Sequence, residues 1–61
     1  MVIKAGNRYW SNGNRVLEVV NLYMDRVQYV IIKTNDAKSN VITVTTEQFK
    51  VIASQLLSSN K

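Results

Sequence analysis

Eight Lys and Arg, four Asp and Glu, three Tyr and one Trp are the side chains with which this 61-residue chain can do chemistry, since it has no His and no Cys. Those two absences remove the commonest general base, the thiolate nucleophile and the strongest zinc ligands. The acids Glu18, Asp25, Asp36 and Glu47 are spread so that no two lie within four positions of each other. A paired-carboxylate site therefore has no local signal. Gly6 and Gly13 are the only glycines, too few for a dinucleotide- or phosphate-cradling loop. The expectation is a non-enzymatic chain that acts by binding, with no catalytic residue, no metal ligand and no cofactor.

The placement of charge points to a partner. Lys4, Arg8 and Arg15 meet no acid within the first 15 residues, while residues 16–61 hold five basic and four acidic side chains. The basic excess is thus concentrated near Trp10. Lys4, Arg8, Arg15, Arg26 and Lys33 are candidate phosphate contacts. Trp10 is a candidate stacking platform, and stacking on an aromatic is worth about 1–3 kcal/mol per base. The plainer reading leaves Trp10 covering an open end of the fold and the cations solvated, with Arg26 paired to Asp25 or Glu18. Asn7, Asn12, Asn14 and Asn21 are expected to satisfy turns rather than a ligand. A rival class of function is a protein adaptor or inhibitor that docks on a host or partner protein. Its candidate surface is Tyr23 and Met24 at a loop tip, with Val51 and Leu57 beside an apolar helical stripe, because exposed Tyr and Met are enriched at interfaces.

The elements that must position these groups follow from local pattern. Residues 2–4 read as a short strand running into a bend at Gly6-Asn7, and residues 8–10 as an extended piece in which Tyr9 and Trp10 face opposite ways. Asn12-Gly13 is the strongest short-range hairpin signal, as a type I′ turn needs positive φ at both central residues. Residues 15–22 and 26–34 read as strands joined through Tyr23-Met24-Asp25. Residues 35–40 are polar and turn-like, and residues 41–44 a last strand. Val16, Leu17, Val19, Val20 and Leu22 leave neither face of the second strand cleanly polar. A bulge near Val19-Val20, or burial on both faces, reconciles them; Val30-Ile31-Ile32 poses the same question. Phe49, Ile52, Ala53 and Leu56 fall at i, i+3, i+4 and i+7, the stripe of an amphipathic helix. Thr45 with Gln48 fits a capping box, and Glu47 suits the helix dipole. The spacing predicts a helix over 46–58.

Four or five short antiparallel strands over 1–45 followed by that helix make a mainly β (β+α) domain spanning 1–61, a small barrel with a helical cap. The chain resembles small phage- and prophage-encoded SH3-like barrel proteins of unknown function. The resemblance is carried by Gly6-Asn7-Arg8-Tyr9, the turn glycine Gly13, then Val19, Val27, Tyr29 and Phe49, over roughly residues 3–50. It implies the fold and a phage-like setting.

Bulk properties set the remaining bounds. At 61 residues the core is small, and the 46% hydrophobic content is expected to serve a core, contacts with a second copy of the chain, or both. The longest apolar run, residues 29–32, is too short to cross a bilayer. Absence of a signal-peptide-like start and of Cys points to a cytoplasmic address with no membrane partner. A net charge of +4 favours a polyanion, here nucleic acid.

Overall fold

The computed structural model describes residues 2–13 and 15–58. Strands β1 (Arg8–Ser11), β2 (Val16–Tyr23), β3 (Arg26–Ile32) and β4 (Ile42–Thr45) form an antiparallel meander; helix α1 (Thr46–Ile52) follows, and then β5 (Ala53–Ser58). The sheet order is β4-β3-β2-β1-β5, a curled half-barrel. β4 and β5 are its two edges, and α1 carries the chain from one to the other across the hollow.

That hollow holds a single cluster of buried side chains: Tyr9, Leu17, Val19, Val27, Tyr29, Phe49 and Ala53. Alternation on β1, β2 and β3 turns Tyr9, Leu17, Val19, Val27 and Tyr29 inward, and α1 supplies Phe49. The Phe49 ring meets Tyr9 edge-on at 5.5 Å and Tyr29 at 5.3 Å between centroids, within the range of favourable aromatic pairs. The Tyr9 hydroxyl is buried but satisfied. It donates to the Val2 carbonyl (3.0 Å) and accepts from the Asn7 side-chain amide (3.1 Å) and the Lys4 N–H (3.2 Å). Residues 2–4 are therefore tied down by a side chain and form no strand, contrary to the alternation of their sequence. Gly6 turns the chain with φ of +86°, a conformation that costs glycine little. Its N–H then reaches the Val19 carbonyl at 2.7 Å.

Local signals place most boundaries. Val19 pairs with Tyr29 and Asn21 with Gln28, so Val20 is the extra residue of a bulge at the expected position. The capping box is complete: the Gln48 N–H donates to Thr45 Oγ1 and the Thr45 N–H to Gln48 Oε1, both at 3.1 Å. Two expectations fail. The hairpin after β1 does not close around Asn12-Gly13 alone. The Ser11 N–H donates to the Arg15 carbonyl (2.8 Å) and Ser11 Oγ accepts from the Arg15 N–H (3.0 Å), so the loop is residues 12–14; Asn14 itself lies outside the described residues.

The helix does not run over 46–58. It ends at Ile52, and the chain continues as β5. Helix ends leave carbonyls unpartnered. Here the Asn12 side-chain amide donates to the Val51 carbonyl (2.9 Å) and the Asn12 N–H to that of Ile52 (3.1 Å). Beyond that point the free ladder groups of β1 offer more bonds than another helical turn, and Trp10 pairs with Gln55 and Tyr9 with Leu56. The barrel-then-helix division at residue 45 is corrected accordingly: the last strand lies after the helix.

Tyr9→Phe removes one hydroxyl from three hydrogen bonds without changing the ring. We expect it to lower unfolding free energy by about 1–3 kcal/mol. Urea titration at fixed pH measures this, and an unchanged midpoint would show that the hydroxyl network contributes nothing.

Candidate functional site

With Tyr9 facing the core, Trp10 faces outward. Its ladder neighbours Val16 on β2 and Ile32 on β3 extend the same outer row, and Leu57 of β5 joins them. These apolar residues line a groove of about 730 Å³ whose polar lining is Arg8, Arg15, Lys33, Thr34, Asp36 and Ser39. The 33–40 loop forms one wall by folding back on β3: the Ile31 N–H donates to Ser39 Oγ (2.8 Å) and the Ser39 N–H to the Ile31 carbonyl (3.0 Å). Asp36 turns the loop with φ of +64°.

One carboxylate organises the electrostatics. Glu18, directly opposite Arg8 on the ladder, accepts from Arg8 Nε at Oε1 and from Lys38 Nζ at Oε2, both at 3.0 Å. Its side chain is only 16% exposed. The hydrogen bond from Lys38, then that from Arg8, together with both positive charges, holds its carboxyl below the ordinary carboxylate range against the opposing effect of burial. Glu18 thereby anchors Arg8 beside the groove and pins the 33–40 loop to β2. Among the described residues Arg15 and Lys33 make no ion pair, so their charges face the groove uncompensated.

The sequence candidates divide. Arg8, Trp10, Arg15 and Lys33 converge on the groove. Lys4 does not line it; its backbone serves Tyr9. Arg26 lies at the opposite end of β3 and pairs with Asp25 at 3.7 Å, the plainer of its two readings. Tyr23 and Met24 are exposed at the β2–β3 turn, Met24 completely. Val51 projects from α1 into solvent, whereas Leu57 belongs to β5 and lines the groove beside Trp10 rather than flanking a helical stripe. Asn7 and Asn12 bind Tyr9 and the helix end, and Asn21 donates to Gln28 Oε1 at 3.3 Å.

Sequence reasoning missed Val16, Ile31, Ile32, Thr34, Asp36 and Ser39 as groove residues, and Glu18 as their organiser. The broken alternation at Val16-Leu17 and Val30-Ile31-Ile32 was the available signal: Leu17 faces the core while Val16 and Ile32 floor the groove. Among the described residues no group of three acidic side chains could hold a metal ion, and no helix is long and apolar enough to cross a membrane. No family model, curated protein or solved structure matches the chain.

Glu18 titrates lower in the folded than in the unfolded chain, so its contribution to stability is present above the ordinary carboxylate range. It is lost as pH falls through the folded value. Relative to the wild type, Glu18→Gln is expected to be less stable at pH 7 and to lose less stability between about pH 5 and pH 3. Urea unfolding at stepped pH measures the difference; parallel pH profiles would refute the assignment.

Proposed function

We infer that this chain is a small non-enzymatic module that binds single-stranded nucleic acid along the groove beside Trp10. The observation that carries the reading is the convergence of Arg8, Arg15 and Lys33 on one half-buried indole. Three cations and one acid, Asp36, line the groove, a net of +2 that complements a phosphate backbone. An aromatic set in an apolar concavity suits an unpaired base, whose face is free to stack; bases inside a duplex offer no such face. An SH3-like barrel belongs to the same reading, supported by a four-strand meander, a short helix and a fifth strand returned to the first.

Arg8 is already neutralised by Glu18, so the phosphate contacts fall mainly to Arg15 and Lys33. Counterion release from single strands gives a slope of log affinity against log salt of about −0.7 per contact, hence about −1.4 here. Arg15→Ala with Lys33→Ala is expected to flatten that slope towards zero and weaken binding, with stability changed by less than about 0.5 kcal/mol. Fluorescence anisotropy with an oligonucleotide across a salt series reads both; a salt-independent isotherm for the wild type would sink the proposal.

A second reading, docking on a partner protein, is favoured by Met24. It is wholly exposed and holds φ of +44°, in the left-handed region that costs a side-chain-bearing residue about 1–2 kcal/mol. A strained, exposed methionine next to exposed Tyr23 suits an interface anchor. Met24→Gly is expected to raise stability by about 0.5–1 kcal/mol, strain relief exceeding the added chain entropy. Under this reading the same variant loses a single protein that the wild type retains after nuclease treatment. Unchanged retention would assign the tip no part in docking.

A further inference from the structure

We propose that Gln55 reads the edge of the base stacked on Trp10 and gives the module a preference for adenine. The inference rests on the groove binding single strands and names what that site would select.

The indole is a ridge between two concavities. On one side lies the cationic groove; on the other a smaller hollow of about 440 Å³ lined by Trp10, Ser11, Ser54 and Gln55. The turn of the chain into β5 creates that hollow, because β5 lays Gln55 directly opposite Trp10 on the β1–β5 ladder. Cross-strand partners share a face, with Cβ atoms about 4.5–5.5 Å apart. A carboxamide is therefore held at the margin of the indole, where the edge of a stacked base would lie.

The other polar side chains of the hollow are committed to backbone. Ser54 Oγ donates to the Trp10 carbonyl at 3.1 Å. Ser11 Oγ accepts from the N–H groups of Gly13 (3.3 Å) and Arg15 (3.0 Å). Gln55 is exposed, and its carboxamide has no hydrogen-bond partner among the described residues. It has one donor group and one acceptor side by side. Adenine presents the matching pair, an exocyclic amine beside a ring nitrogen, on either side of N6, so a bidentate contact forms whichever edge faces Gln55. Guanine offers two acceptors along its N7–O6 edge, and the pyrimidines offer a smaller ring to stack. Backbone charge thus supplies affinity and Gln55 supplies choice.

The test uses the whole chain and fluorescently labelled eight-nucleotide deoxy strands of A, C and T at one low salt concentration. The wild type is expected to bind the A strand at least about fivefold more tightly than the C or T strand, the lower end of what one bidentate contact confers. Gln55→Met keeps the length of the side chain without its hydrogen-bonding groups. It and Gln55→Ala should bring the three strands to within about twofold, with affinity for the C and T strands and the salt slope unchanged. Trp10→Ala should weaken all three strands together. Equal affinities in the wild type, or an adenine preference that survives in both Gln55 variants, overturns the role of Gln55 while leaving the groove reading intact. Absence of binding to every strand overturns the groove reading and this inference with it.

Discussion

The structure depends on one aromatic side chain entering a sheet that does not close on itself. β4 and β5 are edges of the same curled sheet and do not pair with each other, so the inner face needs a cover. Phe49 provides it, wedged edge-on against Tyr9 and Tyr29. Burying a ring of this size contributes on the order of 2–3 kcal/mol from area alone, a large part of the stability of a domain this small. The rest of α1 serves that placement. Thr45 and Gln48 fix where the helix starts, and Asn12 takes up its last carbonyls.

From this constraint the outer surface follows. A helix stopped at Ile52 delivers the chain to the free edge of β1, and the strand that forms there puts Leu57 and Gln55 on either side of Trp10. A helix continuing to residue 58 would have left the edge of β1 unpaired and the indole without its second wall. Core and candidate site are coupled through the same ladder, since Tyr9 and Trp10 are neighbours facing opposite ways.

The groove also shows how a modest net charge is distributed. Glu18 neutralises Arg8 and ties down Lys38, at once steadying the 33–40 loop and reducing the field over the groove. What remains uncompensated is Arg15 and Lys33. The short cationic row is matched to a few phosphates, a scale in keeping with a module of 61 residues.

The sequence alone was sufficient for features governed by neighbours along the chain. The strand meander, the Val20 bulge, the capping box at Thr45 and the opposed faces of Tyr9 and Trp10 all follow from period, β-branching and side-chain reach over a few residues. So did Tyr9, Val19, Val27, Tyr29 and Phe49 as the residues that matter, all of them in the core. Tertiary structure alone decided the fate of residues 53–58, whose apolar spacing suits a helix as well as a strand. The choice was made by Asn12 at the helix end and by the open edge of β1, 40 or so positions away. It likewise decided that Glu18 gathers Arg8 and Lys38, that Lys4 and Arg26 stand apart from the groove, and that Leu57 lines it. Ladder pairing and charge pairing join residues distant in the chain, and no local period encodes which distant partner an edge or a carboxylate will find.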